Sequence, residues 1–265
     1  MNKTQAGTAL ITGASAGIGA VYADRLARRG HDLILVARDQ TKLDAVAQRL
    51  RADTGVAVET LIADLTRPAD LAAVEARLRS DERIGLLVNN AGVAVIGAMV
   101  DADPDALEAM LRINAIAPTR LALAAAQGFI ARKAGTVINI ASVTALIPER
   151  FNGVYSGSKA YLIAFSQALQ EELRPHGVRV QAVLPGATRT AIWGAAVDHL
   201  PKEMLMEVDE MVDAALAGLD QGELITIPSL PDPADWQAYT AARLHMAPRL
   251  SLNKAAARYQ SVTTQ

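Results

Sequence analysis

Runs of strand length, nearly all apolar, alternate with longer amphipathic stretches through most of this chain. Thr8–Thr12, Asp32–Ala37, Val56–Ile62, Ile84–Val88, Gly135–Ala141 and Val178–Leu184 read as strands, with a last short one near Leu224–Ile227. Between them, apolar positions at helical spacing predict helices over Ile18–Arg29, closed by Gly30, and over Thr41–Ala52, Pro68–Arg79, Asp105–Arg132 and Asn152–Arg174. Pro68 suits a first helical turn. Pro118 interrupts the long helix, because it removes an internal hydrogen bond. The alternation predicts an α/β fold, a parallel sheet of about seven strands with helices on both faces. After Pro185-Gly186 the pattern weakens. Thr190–Pro201 reads as a loop and Lys202–Leu219 as one or two helices, so residues of about 190–220 would shape a substrate site. Pro231 and Pro233 exclude a helix, Ala234–His245 can form one, and Pro248 stops it. With no repeat or low-complexity linker, the chain reads as one domain, 1–265, whose extension 228–265 has no assigned role.

Composition narrows the chemistry. Among 265 residues there is no cysteine, so disulfides, thiolate metal sites and thiol nucleophiles are excluded. The four histidines are scattered and none has metal-ligand spacing. With 26 basic and 28 acidic side chains the net charge is −2, which gives no general attraction to nucleic acid or an anionic membrane. No basic-then-apolar leader precedes the first strand, and no apolar stretch approaches ~18 residues. A soluble, cytoplasmic protein is expected.

Chemistry enters at Tyr155-Ser-Gly-Ser-Lys159. Four residues apart on a helix, the two side chains share a face with Cβ atoms roughly 6 Å apart. A free phenol ionises near pH ~10. At an effective dielectric of ~20, an ammonium about 5 Å away favours the phenolate by about 3 kcal/mol, or roughly two pKa units. Tyr155 could then exchange a proton with a carbonyl or an alcohol.

A second cluster lies upstream, Thr12-Gly13-Ala-Ser15-Ala16-Gly17-Ile18-Gly19, between the first strand and the first helix. Glycines there permit positive φ and close backbone approach. The free amides and positive dipole end of the helix favour a pyrophosphate. NAD sites commonly carry an acidic residue at the end of the second strand. Here Ala37 stands in that place, followed by Arg38, whose fork of donors suits a 2′-phosphate, with Lys42 as a possible helper. NADP(H) is therefore expected over NAD(H), although Ala16 leaves the glycine turn without a basic residue.

These segments together resemble the short-chain dehydrogenase/reductase family over roughly residues 8–230, which implies a single-domain Rossmann-type doubly wound sheet. In that resemblance Tyr155 is the general acid/base. Lys159 holds the nicotinamide ribose and biases the phenol, Ser142 hydrogen-bonds the substrate oxygen, and Asn114 holds a proton-relaying water. Asp64-Leu65 matches the pair beside the adenine, and Asn89-Asn90-Ala91-Gly92 matches the stretch lying against the cofactor. Pro185-Gly186-Ala-Thr188-Arg-Thr190 resembles the segment that meets the carboxamide or diphosphate. The substrate would lie among Val93, Ala94, Val143, Thr144, Ile147, Pro148, Phe151, Asn152, Ile192 and Trp193. Of the charges nearby, only Arg150 and Arg189 are candidates to meet it, and both read as solvent-exposed, so an uncharged, largely apolar carbonyl or alcohol is expected. The resemblance also implies a homodimer or homotetramer pairing through the two long helices, with Leu121, Leu123, Phe165 and Leu169 available. Two rival readings are a catalytically silent NADP(H) sensor or scaffold, and an epimerase or dehydratase of nucleotide sugars, whose larger substrate domain this length barely accommodates.

Overall fold

A computed structural model describes residues 7–95, 97–192 and 201–259. Its centre is a sheet of seven parallel strands in the order β3-β2-β1-β4-β5-β6-β7: β1 Thr8–Thr12, β2 Leu33–Ala37, β3 Val58–Ile62, β4 Ile84–Asn89, β5 Gly135–Ile140, β6 Val178–Val183 and β7 Ile225–Thr226. The predicted fold class is the observed one. Every residue of β1 and β2 is buried, as a parallel sheet covered on both faces requires. At the edge, β3 is only partly buried, and its exposed Glu59 pairs with Arg77 and Arg83.

Helices α1 (Gly17–Arg28), α2 (Gln40–Thr54) and α7 (Val208–Asp220) supply one apolar layer, with Tyr22, Leu26, Leu43, Leu50 and Leu216 buried in it. On the other face lie α3 (Pro68–Ser80), α4 (Pro104–Leu111), α5 (Ala117–Arg132) and α6 (Gly153–Leu173). There Leu71, Val74, Leu121, Phe129, Leu169 and Leu173 form the second core. Ion pairs fasten the first layer at its rim. Arg25 bonds Asp209 at 2.7 Å and Asp213 at 2.6 Å, and buried Asp24 meets Arg25, Arg28 and Arg49.

The predicted single helix over 105–132 is two helices joined by one wide turn. Arg112–Ile116 is a π-helix between α4 and α5. Pro118 explains it: proline cannot donate to the carbonyl four residues back, that of Asn114, and its ring crowds that oxygen. The chain widens by a residue instead of breaking, a device common at functional sites. Helix α7 begins at Val208, after a 3-10 turn at Lys202–Met204, so the segment before it is shorter in helix than the pattern suggested.

The chain forms two compact units, Met1–Pro228 and Ser229–Gln265. In the second, Asp232 caps α8 (Pro233–Met246), its carboxylate accepting from the Ala234 amide at 2.8 Å. Trp236 and Tyr239 stack with centroids 5.2 Å apart, and no residue of the helix is buried. Among the described residues no helix is long and apolar enough to cross a membrane.

Leu35 lies fully buried in the middle of β2. Leu35→Ala should lower unfolding stability by about 2–5 kcal/mol in urea denaturation, through lost transfer energy and the cavity left behind.

Candidate active site

Parallel strands put every strand-to-helix loop at the same sheet edge, and the predicted residues collect there. The turn after β1 is set by Gly13 at φ 66° and Gly17 at φ 54°, both in the left-handed region. A Cβ on Gly19 would run into the carbonyl oxygen of Gly13, so the turn must be bare to close. The Asn90 amide nitrogen donates to the carbonyls of Thr12 (2.9 Å) and Gly13 (3.2 Å). In return the Thr12 hydroxyl accepts from the Asn90 and Ala91 amides, each at 3.0 Å. Thr12, read in the sequence only as the start of the glycine motif, is thus the clamp between the β1 and β4 loops.

Beside this turn runs a cleft of about 290 Å³, lined by Gly13, Ser15, Ala16, Ala37, Arg38, Asp39, Lys42, Ala63, Leu65, Ala91, Gly92, Val93 and Ile113. Arg38 is exposed and has no ion-pair partner among the described residues. Sequence reasoning missed Asp39, although it stands next to Arg38. Its carboxylate is occupied: it caps α2 by accepting from the Lys42 amide at 3.0 Å and pairs with the Lys42 ammonium at 3.3 Å. Those contacts, led by the backbone amide, hold the Asp39 carboxyl below its ordinary range. Lys42 is therefore tied to Asp39, and Arg38 is the open donor. Burial alone would raise Asp64, but hydrogen bonds from Thr66 and the charges of Arg38 and Arg67 outweigh it, leaving the carboxyl lowered. Ile113 gave no signal in the sequence, because it was one apolar residue in an apolar helix.

The catalytic candidates lie on three elements. Ser142 follows β5 and caps a short turn, its hydroxyl accepting from the amide (3.2 Å) and hydroxyl (3.1 Å) of Thr144. Asn152 caps α6 through its side-chain oxygen, which accepts from the amides of Val154 (3.0 Å) and Tyr155 (3.2 Å). One turn further along α6, the Lys159 ammonium sits 5.7 Å from the centroid of the Tyr155 ring and donates to the Ile140 carbonyl at 2.9 Å. Asn114 spends its side chain on the loop after β4: its oxygen accepts from the Val93 amide at 3.0 Å and its nitrogen donates to the Val93 carbonyl at 2.9 Å. That nitrogen also reaches the Ser158 hydroxyl at 3.3 Å, which donates to the Tyr155 carbonyl at 2.6 Å. A Cβ on Gly92 would crowd this corner, lying 3.0 Å from the Asn114 side-chain oxygen and 3.5 Å from the Lys159 nitrogen.

Protonation departs from the sequence expectation. Burial raises the Tyr155 phenol above its ordinary value, and the hydrogen bond with Ser142 only partly offsets this. Burial also lowers Lys159 to about 8. Desolvation of the phenolate thus outweighs the help it receives from Ser142.

Other candidates divide. Thr188 is buried, its hydroxyl donating to the Gly186 carbonyl at 3.2 Å, and the Thr190 methyl faces Gly17. Pro185 accepts from the Val143 amide at 3.0 Å, which places Pro185-Gly186 beside Ser142. Thr144 is a correction: it is buried under Ser142 and supports that serine instead of lining an open pocket. Arg189 pairs with Glu207 at 2.7 Å. Ile147, Phe151 and Ile192 are exposed at 42%, 43% and 37%, and Val93 and Ala94 are only partly covered. Met99, absent from the expectations, lies against Gly153, two residues before Tyr155. Its loop has no periodicity that could have marked it. Trp193 lies outside the described residues.

The family model for short chain dehydrogenases matches residues 7–201. The chain belongs to the short-chain dehydrogenase family. A curated relative, an uncharacterised oxidoreductase of Staphylococcus saprophyticus, is 32% identical over 233 residues, covering 86% of this chain and 97% of that protein. A short-chain dehydrogenase from Sphingobium yanoikuyae, solved in complex with NADPH, is 54% identical with a TM-score of 0.93, covering 96% of this chain and 100% of that one. The bulky-bulky ketone specific alcohol dehydrogenase of Comamonas testosteroni is 45% identical with a TM-score of 0.91, covering 97% of this chain and 100% of that one. Asn114, Ser142, Tyr155 and Lys159 lie near one another at this sheet edge.

Lys159 gives a stability test. Unfolded, it keeps its proton to near 10.5, and folded only to about 8. Folding below pH 8 thus carries the cost of a buried charge, about 3 kcal/mol, which is relieved as pH rises from about 8 to 10.5. Lys159→Met should raise the thermal midpoint at pH 7 and remove the gain in stability between pH 8 and 10.5, read by melts across that range.

Proposed function

We propose that this chain is an NADP(H)-preferring oxidoreductase that interconverts a carbonyl and an alcohol, with Tyr155 as general acid/base. The observation that carries the reading is one phenol, that of Tyr155, hydrogen-bonded to Ser142 with the Lys159 ammonium 5.7 Å from its ring centroid, at the same sheet edge as the bare glycine turn. The lining fits the cofactor. Gly13, Gly17 and Gly19 form a cradle that side chains would fill, the amides opening α1 suit a pyrophosphate, and Arg38 suits the 2′-phosphate. The NADPH complex of the Sphingobium relative supports the same preference. Once bound, the nicotinamide supplies or accepts the hydride.

The chain's own residues do the rest. Ser142 holds the substrate oxygen and stabilises the charge that develops there. Tyr155 gives its proton to that oxygen during reduction and takes it back during oxidation. A phenol kept protonated by burial suits the reducing direction, since it arrives as an acid. Lys159 supports the phenolate left behind and holds the ribose hydroxyls. Asn114 locks the Val93 loop with its side chain, so a relaying water would be held by its main-chain carbonyl, which Pro118 leaves without the usual helical donor. Met99, Ile147, Phe151 and Ile192 give the substrate an apolar approach, consistent with an uncharged ketone carrying bulky groups, the kind for which the Comamonas relative is named. The same reading makes the protein a homo-oligomer. Leu123 is 50% exposed on α5, and Tyr161, stacked on Phe165, is 41% exposed on α6, whereas Leu121 and Leu169 are taken by the core.

Tyr155→Phe should cut ketone reduction by about 10²–10⁴-fold while NADPH still binds, measured by steady-state rates and fluorescence titration. Unchanged turnover would remove Tyr155 from the mechanism. Arg38→Ala should raise the KM for NADPH about 10–100-fold, the worth of hydrogen bonds to a charged group, and leave that for NADH nearly unaltered. Equal effects on both would place Arg38 away from the 2′-phosphate.

A further inference from the structure

Three buried side chains that take no part in the chemistry form one hydrogen-bonded line beneath the site. The Asn139 amide nitrogen on β5 donates to the Ser166 hydroxyl on α6 at 2.8 Å. Asn89, at the end of β4, donates from its amide nitrogen to the Asn139 oxygen at 2.9 Å and to the Pro118 carbonyl of α5 at 3.1 Å. The Ser166 hydroxyl in turn donates to the Leu162 carbonyl at 2.7 Å. Asn139 and Ser166 are fully buried and Asn89 nearly so. Polar groups this deep are costly to bury, and apolar residues of similar size would pack the same space.

Their position shows what the cost is spent on. Asn89 directly precedes Asn90-Ala91-Gly92. Asn139 lies three residues before Ser142. Pro118 closes the wide turn that carries Asn114. Ser166 is two helical turns beyond Lys159 on the same face of α6, and Lys159 itself reaches β5 at Ile140, the neighbour of Asn139. The elements bearing Asn114, Ser142, Tyr155 and Lys159 are therefore joined by this line. Apolar contacts let a helix slide or turn on a sheet at little cost, whereas hydrogen bonds weaken steeply when their angle changes. We propose that Ser166 and Asn139, with Asn89, are positioning residues that fix the rotation and height of α6 on the sheet and so set Tyr155 and Lys159 against Ser142. This rests on the oxidoreductase reading above.

The test uses the full chain with NADPH and a bulky apolar ketone. Ser166→Ala should lower kcat about tenfold or more, because small displacements of reacting groups are expensive. The NADPH dissociation constant, read by fluorescence, should stay within about twofold, and the alkaline limb of the kcat–pH profile should move as Tyr155 and Lys159 lose their spacing. Ser166→Thr, which keeps the hydroxyl, should restore kcat and the limb. Ser166→Cys keeps the shape with a weak acceptor and should fall between; it also serves if the alanine variant does not fold. A variant lacking the hydroxyl with unaltered kcat and pH limb, whatever its thermal midpoint, overturns the positioning role. So does a threonine variant that recovers the thermal midpoint without recovering kcat. Wild-type protein that binds NADPH but reduces no ketone would instead overturn the oxidoreductase reading, and this role with it.

Discussion

Every strand of the sheet runs in the same direction, and the site follows from that one constraint. Parallel pairing sends each chain reversal over a face of the sheet, so the loops after β1, β4, β5 and β6 all emerge at the same edge. Residues far apart in sequence, Gly13, Asn90, Ser142 and Gly186, are thereby gathered without any contact having to search for another. Thr12 and Asn90 then stitch the first two loops together, and the Val143 amide stitches the last two through Pro185.

On this frame the protein accepts an electrostatic cost. Lys159 is buried among apolar and peptide groups with one carbonyl partner, and burial pulls its proton affinity down while pushing that of Tyr155 up. The two shifts move the groups apart and reverse their order: free tyrosine gives up its proton just before free lysine, whereas here Lys159 does so before Tyr155. A structure selected for stability alone would place an apolar residue at 159. A charge retained there at that cost is what the proposed proton transfer requires.

A local defect serves the same end. The π turn at Arg112–Ile116 turns the side chain of Asn114 toward the Val93 loop, where it makes two hydrogen bonds with that backbone. A regular helix through Pro118 would have met a ring-to-carbonyl clash at that very residue. The proline is therefore the local cause, and the clamp on the cofactor-side loop is the result.

Much of this was readable in the residues. Nearly continuous apolar runs fixed the strands to within a residue or two, since parallel strands are buried on both faces. The glycine spacing located the turn, and Tyr155 with Lys159 declared a shared helix face, because those signals are local and depend on backbone geometry. What the chain's order could not state is anything that depends on distant neighbours. The engagement of Asp39 with Lys42, the burial of Thr144 under Ser142, Met99 lying against Gly153, and the Asn89–Asn139–Ser166 line all arise between side chains brought together by folding. The proton affinity of Tyr155 is the sharpest case. Its helical neighbour was plain from spacing, but its direction of shift was decided by how much water the surrounding layers exclude, and no pattern along the chain encodes that.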